Sequence, residues 1–565
     1  MPTIDVDYDE FEKMLGIKLQ RDIEKINEVL AFVKGEVKLF DEKEGTMNVE
    51  IKDTNRPDVW NIEGLVRALR GFLGLEEGLR EYTVGKQIAE VYVDERLEDI
   101  RPYIGCSIVK NLELSDRMIR GFMHMQDKLD QTYGRNRQKT SIGLYNLDLI
   151  ELPLQYTVAK PTEVSFVPLG FTEKMNLKEM LTNHPKGLEY GHIVSKHPVY
   201  PILLDSENKP LSFPPIINSN DLGRITEDTR NVLVEVTGTM NETVLNTVKI
   251  VTLSLIDRGG KAYSAKVHYS SRKHDIVTPN FDTSRMSLEI GHVNTILGLQ
   301  LTAKKIARLL SKAGYNVEKL EKDKVHVQVP CYRVDVMHPV DIIEDIAIAY
   351  DYNKIKPLWR EMPTTGGVRP EQGLVDVARM LMVGLGFQEI LTYTLSNPEN
   401  LFRKMNCKKE RIIEISNPKV NTLTCLRNWL LPSLMEFVSN NLHVECPQRI
   451  FEMGKITLPD GKKETRTRDE ERLAALVYHA NANFSEIKST LDAFFMNLDL
   501  DWRIKEENHP TFIVGRAGAV IVNNTEVGIL GEINPEVLEL WTLENPTAAF
   551  ELSMDQILKI KRSTR

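Results

Sequence analysis

The segment from Cys331 to Tyr352 concentrates acidic side chains: Asp335, Asp341, Glu344 and Asp345. Pro339 suits the first turn of a helix, because its missing N–H is one of the donors that a helix start leaves unpaired. In that helix Asp341, Glu344 and Asp345 stand at i, i+3 and i+4 and share one face. Asp335 lies just upstream, where the chain can fold back towards that face, while Ile342, Ile343, Ile346 and Ala349 take the opposite face as core. Carboxylates brought to one corner repel one another unless a cation intervenes. An all-oxygen donor set favours Mg2+ or Ca2+ over zinc. The competing reading is that acidic residues in a first turn complement the helix dipole. Asp335 is outside that turn, so the dipole does not account for it.

Glu235 and Thr237 form a second polar feature. They alternate in Val234-Glu235-Val236-Thr237-Gly238, so a strand here points both to one face. A polar face inside an apolar run suits a pocket wall; the competing reading is an exposed strand face with nothing bound. No GxxxxGK[ST] phosphate loop occurs. The five cysteines, Cys106, Cys331, Cys407, Cys425 and Cys446, are scattered without a CxxC pair. That argues against a disulfide framework or zinc site and for a reducing cytoplasm.

These residues need positioning elements. The 565 residues exceed the roughly 250–300 at which single cores stop growing, so three to five domains are expected. Hydrophobic residues at 42% and charged residues at 27% are ordinary for a soluble globular chain. No run approaches the ~18 apolar residues of a membrane helix, so no membrane partner is expected. The acidic, amphipathic opening MPTIDVDYDEFEKMLG lacks the regions of a secretory leader. A net charge of −9 argues against a protein that grips nucleic acid by itself. Residues 101–150 are locally basic, with eight Lys/Arg against five Asp/Glu, including Arg135, Arg137 and Lys139. That run reads equally well as a solvated loop; if RNA is a ligand, a second chain supplies much of the positive surface.

The pattern predicts a multidomain α+β protein. Residues 1–95 form an N-terminal α+β module, with Asp58 as N-cap of a helix whose face carries Leu65, Leu69, Phe72 and Leu73. Residues 100–275 form a β-rich mixed domain with strands at Ile104–Val109, Ile142–Asn146, Val199–Leu204, Asn231–Gly238 and Thr247–Ile256. Residues 280–357 read helix (Leu301–Ala313), strand (Lys324–Pro330), helix (Pro339–Tyr352), a small winged-helix-like module. A linker covers Glu361–Gly367. Residues 368–565 are α/β: a helix at Gln372–Gly384, short strands at Ile450–Glu452 and Ala548–Leu552, and a strand-to-helix turn through Asn534-Pro535.

Several segments, in order, resemble the β subunit of phenylalanyl-tRNA synthetases. VPCYRVDVMHPVDIIEDIAIAYDYNKI resembles that family's metal-binding module, NRPDVWNIEGLVRALRGFLG its N-terminal module, and RNRQKTSIGLYNLD the start of its editing domain. TLTCLRNWLLPSLMEFVSNN, RIFEMGKI and LGEINPEVL resemble its catalytic-like module. The form of the 180–240 region is similar to archaeal and eukaryotic cytosolic members. The resemblance implies a cytoplasmic assembly of two α and two β chains. In it the α subunit activates phenylalanine with ATP and charges tRNA(Phe), while the β subunit hydrolyses mischarged Tyr-tRNA(Phe). It implies Mg2+ on Asp335, Asp341, Glu344 and Asp345 in a structural role. It also implies an editing wall over 200–205, 211–218 and 234–239, with Leu203, Ser212, Glu235 and Thr237 as its functional residues. The family more often has Asp at position 235; Glu keeps the charge and reaches farther.

The resemblance further implies that 368–565 is a class II synthetase-like antiparallel-sheet module without an active site. Class II enzymes hold ATP phosphates with strand-borne arginines, because charge develops on those oxygens. Phe451-Glu452-Met453 lacks the Arg-x-Glu pair, and Phe550-Glu551-Leu552 lacks Gly-x-Gly-x-x-Arg. The module then reads as a scaffold that packs on the α chain through apolar helices such as Leu426–Leu442. Arg427 is either a polar interface residue or a solvated arginine at a helix start. His184, His192 and His197 have no triad spacing, so a polarised water, helped by the tRNA's own hydroxyl, is the expected nucleophile. The competing functions are a free-standing deacylase of mischarged tRNA, which has no need of 370–565, and a non-enzymatic nucleic-acid scaffold, which the net charge opposes.

Overall fold

The computed structural model describes residues 2–270, 275–359 and 364–563. The chain divides into two compact units, residues 1–358 and 359–565.

The first unit opens on a three-stranded antiparallel sheet. β1 (Thr3–Asp7), β2 (Gly35–Asp41) and β3 (Thr46–Ile51) pair in the order β1-β3-β2 and share a core with α1 (Tyr8–Leu15), α2 (Ile23–Leu30) and α3 (Ile62–Phe72). The N-cap of α3 is Asn61 rather than Asp58: its Oδ1 accepts from Gly64 N at 2.6 Å. Asp58 sits in a preceding 3-10 turn, buried and paired with Arg56. Gly64 permits that turn, since a Cβ there would fall 1.6 Å from the Asp58 carbonyl oxygen.

A ten-stranded mixed sheet follows. Its early members are β4 (Gly85–Val93), β5 (Tyr103–Lys110), β6 (Thr140–Asn146) and β7 (Leu154–Ala159), with α4 (Asp116–Gln131) between β5 and β6. A two-stranded pair, β8 (Ser165–Phe166) and β9 (Met175–Asn176), leads to α5 (Leu177–Asn183) and α6 (Pro185–Tyr190). Then come β10 (Tyr200–Leu204), β11 (Pro210–Phe213), β12 (Ile217–Asn218), β13 (Val232–Gly238), α7 (Asn241–Asp257), β14 (Lys261–Tyr269) and β15 (Ile276–Thr278). The order is β12-β11-β10-β7-β4-β14-β5-β13-β6, with β15 beside β14. By strand pairing β4 belongs here, so the N-terminal module ends before Gly85 instead of at 95.

The strand expected at Thr247–Ile256 is part of helix α7. A short run of β-branched residues does not separate a buried helix from a buried strand. Here the helix is buried nearly all round, and it absorbs its polar groups internally. The hydroxyls of Thr247, Thr252 and Ser254 donate to the carbonyls of Thr243, Val248 and Ile250 at 2.7, 2.6 and 3.0 Å.

The rest of the unit is β16 (Ser284–Glu289), α8 (Ile290–Leu297), α9 (Ala303–Lys312), β17 (Asn316–Leu320), β18 (Lys324–Val329) and α10 (Pro339–Tyr350), with sheet order β16-β18-β17. Of the expected linker, residues 361–363 lie outside the described residues.

In the second unit, α11 (Pro370–Gly384) precedes β19 (Gln388–Glu389), β20 (Leu395–Ser396), α12 (Pro398–Leu401), β21 (Cys425–Leu426) and α13 (Leu431–Asn440). Long strands follow: β22 (Gln448–Pro459), β23 (Thr467–Tyr478), then α14 (Phe484–Asn497), β24 (Trp502–Glu506), β25 (Phe512–Val522), β26 (Thr525–Ile533), α15 (Pro535–Leu540), β27 (Thr547–Ser553) and α16 (Met554–Ser563). Seven strands make one sheet, β19-β22-β23-β27-β26-β25-β24, antiparallel except at β19. The strand-to-helix turn at Asn534-Pro535 is present, with the Asn534 side chain capping α15.

At the end of α7, Asp257 accepts from Arg67 Nε and Nη2 at 2.9 and 2.6 Å and from the Tyr82 hydroxyl at 2.9 Å. Removing one partner of a buried pair leaves the other charge uncompensated, at a cost of about 3–5 kcal/mol. Asp257→Ala should therefore lower the first unit's calorimetric transition by several degrees, and an unchanged transition would contradict this account.

Candidate functional site

β13 is buried along its length and pairs antiparallel with β5 on one side and β6 on the other. This register sets Glu235 opposite Cys106 and Gly143, and Thr237 opposite Ile104 and Ser141. The face is interior, so the exposed-strand reading does not hold. Tyr145 on β6 turns its hydroxyl to Glu235 and donates to Oε2 at 2.8 Å, with Asn218 Oδ1 3.3 Å away. Gly143 makes room for this pair: a Cβ there would lie 2.3 Å from the Tyr145 hydroxyl and 2.5 Å from Glu235 Oε2.

Glu235 and Ser212 line a small cavity of about 70 Å³, together with Arg137, Ser141, Pro215 and Asn218. Glu235 Oε1 and Ser212 Oγ are buried and lack a partner of hydrogen-bonding geometry. Burial pushes the Glu235 carboxyl up to about 7, against the opposing pull of the Tyr145 hydroxyl and the Arg101 charge. Unpaired buried polar atoms cost free energy; two of them line this one cavity, which makes it the candidate site.

The four residues expected at this site separate into two pairs. Ser212 and Glu235 line the cavity. Leu203 is fully buried on β10, cross-strand from Ser212 and Tyr156, in the apolar core beside it. Thr237 lies beneath the wall, where its Oγ1 accepts from Arg101 Nε at 3.0 Å and lies 3.2 Å from Ser141 Oγ.

Arg137 is no solvated loop residue. Its Nη1 donates to the Pro215 and Ile216 carbonyls at 3.0 and 2.9 Å, and its guanidinium sits over the Tyr190 ring. Its Nε lies 3.1 Å from Asp130, which burial pushes up to about 7 despite Arg137 and Arg101. His184 caps the start of α6 through Nδ1. Tyr145, Ser141 and Arg101 escaped the sequence reading. Tyr145 left one trace, a glycine two residues before it and cross-strand from the acid. Arg101 left none.

The carboxylates at 335–345 do not converge on a metal. Asp335 is bound by Arg333 Nε and Nη2 at 2.9 and 2.7 Å, with Arg56 Nε at 3.7 Å. Burial would raise its pKa, but Arg333 and Arg56 outweigh burial and hold it below the usual range. Asp345 pairs with Arg333 Nη1 at 2.7 Å and accepts from the Tyr315 hydroxyl. Glu344 binds Lys34 at 2.6 Å. Asp341 accepts from the backbone N–H groups of Met337 and His338 at 2.8 and 2.7 Å as the N3 member of a capping box. Each acid already has its own partner. Among the described residues no group of three or more His, Cys, Asp or Glu is arranged to hold a metal ion, so this arrangement does not fit a magnesium centre.

In the second unit Arg427 is not solvated. It is buried, with Nη2 2.8 Å from Glu452 Oε1, Nη1 donating to Thr392 Oγ1 at 2.7 Å and Nε to the Lys455 carbonyl at 3.0 Å. Glu551 Oε2 accepts from the N–H groups of Leu430 and Leu431 at 2.9 and 3.0 Å. Helix α13 buries Leu431, Leu434, Met435 and Val438 in the core of this unit. The exposed apolar stripe lies on α11, at Val377, Met380 and Val383.

Residues 286–352 match the model of the tRNA synthetase B5 domain, and residues 355–554 that of the phenylalanyl tRNA synthetase beta chain CLM domain. Among curated relatives, the phenylalanine–tRNA ligase beta subunit of Pyrococcus abyssi is 42% identical over 98% of this chain and 99% of its own length. That of Archaeoglobus fulgidus is 37% identical over 98% of each. The crystal structure of an N-terminal fragment of the phenylalanyl-tRNA synthetase beta subunit from Pyrococcus horikoshii is similar with a TM-score of 0.60. It is 38% identical and covers 62% of this chain and 99% of the fragment. The chain belongs to the archaeal-type phenylalanine–tRNA ligase beta subunit family. Among the described residues no helix is long and apolar enough to cross a membrane.

Glu235 titrates near 7 in the fold against a usual 4.5, so folding favours its protonated form. That contribution is complete below pH 4.5 and is lost as pH rises through 7. Glu235→Gln removes the loss and should gain on the parent protein between pH 5 and pH 8 by about 1–3 kcal/mol. Paired thermal melts measure this, with Asp130 common to both proteins. Identical pH dependences in the two would contradict the buried-acid account.

Proposed function

We propose that the chain works as the β subunit of an assembly of two α and two β chains. The α subunit activates phenylalanine with ATP and charges tRNA(Phe), and this chain hydrolyses mischarged Tyr-tRNA(Phe) at the Glu235 cavity. The observation that carries the reading is the pair of buried oxygens at the cavity wall, Glu235 Oε1 and Ser212 Oγ, neither of which has a hydrogen bond of full geometry, with Tyr145 and Thr237 as their polar neighbours.

A pocket built for phenylalanine excludes an added hydroxyl by only about 10²-fold, whereas a site that hydrogen-bonds a hydroxyl rejects an analogue lacking it by about 10⁴–10⁵-fold. Glu235 in its ionised form accepts the phenol O–H, and Ser212 supplies a second polar contact. A phenylalanyl group would leave both oxygens unpaired and so escapes hydrolysis. The nucleophile in this reading is a water held at the ester, since no histidine lines the cavity. No magnesium step is assigned to residues 335–345, because their carboxylates already have partners.

Replacing Glu235 and Thr237 together by Ala should leave charging of tRNA(Phe) with phenylalanine intact and raise Tyr-tRNA(Phe) accumulation at least tenfold. Unchanged proofreading in that double variant sinks the assignment.

For the partner, the supporting feature is the stripe on α11, where Met380 is 67% exposed between Val377 and Val383. Met380→Glu with Val383→Glu should abolish co-purification with the α subunit while leaving the melting curve of the isolated chain unchanged. Full recovery of the α chain on this variant would exclude that face, whereas failure of the unaltered chain to recover any α chain would favour the free-standing deacylase.

A further inference from the structure

Arg101 precedes β5 and is 1% exposed. The other deeply buried arginines are ion-paired: Arg56 with Asp58, Arg67 with Asp257, Arg258 with Glu63, Arg333 with Asp335, Arg427 with Glu452. Arg101 instead spends its donors on neutral oxygens. Nε donates to Thr237 Oγ1 at 3.0 Å, Nη2 to the Thr237 carbonyl at 2.8 Å and to Ser141 Oγ at 3.0 Å, and Nη1 to the Arg137 carbonyl at 3.0 Å. Burying a cation without a directly paired carboxylate is unfavourable. A fold that needed only packing at this position would be served by a neutral side chain.

The three anchored segments all contribute to the cavity's lining or flank a residue that does. Thr237 is on β13 two residues from Glu235, Ser141 is on β6 two residues before Gly143, and Arg137 reaches the Pro215 and Ile216 carbonyls across the cavity. Arg101 itself does not line the cavity.

We infer that Arg101 is a positioning residue for the proposed hydrolysis: its fork locks β13, β6 and the 137–138 turn together, and its charge faces Glu235 from behind the wall. The inference rests on the editing reading above. The ionisable groups around Glu235 are Tyr145 on β6, Cys106 on β5, Tyr156 on β7 and Arg101, while Asp130 and Arg137 face Arg101 from the α4 side. Among these Arg101 is a cation acting on Glu235, and it favours the ionised carboxyl. Loss of that charge moves the Glu235 titration to higher pH.

The test is Tyr-tRNA(Phe) hydrolysis by the full chain with its α subunit, from pH 5.5 to 9, with phenylalanine charging as the folding control. Arg101→Met should cut kcat/KM at least tenfold and shift the midpoint of the rising limb upward by about one pH unit. Arg101→Lys, which keeps a charge but not the fork, should lose rate with its midpoint within a few tenths of the parent's. A Met variant that charges tRNA normally and keeps the parental midpoint overturns the inference, whatever its rate. If the Met variant fails the control, Arg101→Lys decides alone, and a parental rate there overturns the inference. Glu235→Gln separates the two levels: parental hydrolysis in that variant defeats the editing reading itself, while loss of hydrolysis and of the rising limb leaves Arg101 to be judged by its own variants.

Discussion

The first unit depends on a chain of buried ion pairs. Asp58, Arg56, Asp335, Arg333 and Asp345 follow one another, and Tyr315 closes the end. Beside them Arg67 stacks on Tyr332 and pairs with Asp257. Each ion alone would be strongly unfavourable in such surroundings, and each is tolerable only with its neighbours in place. The network therefore acts less as a source of stability than as a geometric lock. It holds the turn before α3, the end of α7 and the segment before α10 in one arrangement. Apolar packing of the same volume, being non-directional, leaves such angles far less defined.

The same device recurs in the second unit, where Arg427 and Glu452 neutralise each other inside the sheet layer. Against that background the Glu235 cavity stands apart. Its acid has a phenol for a hydrogen-bond partner in place of a cation, and two of its oxygens remain unpaired. The sheet keeps this costly arrangement rigid because β13 is paired on both edges.

Much of this was legible in the sequence. The 3.6-residue and two-residue periods located α3, α10, α11, β5, β6 and β13, and the alternation of Glu235 and Thr237 placed both on one face. Two kinds of information were hidden. A β-branched run such as Thr247–Ile256 carries no mark of whether its hydroxyls will bond back into a helix. Spacing along one helix also says nothing about cations brought from distant sequence. At 335–345 the pairing of Glu344 with Lys34 and the second contact of Asp335 with Arg56 come from far upstream, and even the nearby Arg333 pairs with Asp335 and Asp345 only once the chain is folded. Arg101 is the extreme case, since the oxygens that its donors reach are backbone carbonyls and hydroxyls that no motif records.

The pair between Lys34 and Glu344 spans 310 positions. At the roughly 5–20 residues per second of chain synthesis, the interval between emergence of the two is about 15–60 s. Arg56 likewise awaits Asp335, and Arg67 awaits Asp257. Lys34 and Arg56 meet an early counter-charge in Asp53 and Asp58, while their second partners, and the Asp257 of Arg67, are still to be made. A nascent chain halted before residue 333 lacks Arg333, Asp335, Glu344 and Asp345, and the network stays open at that end.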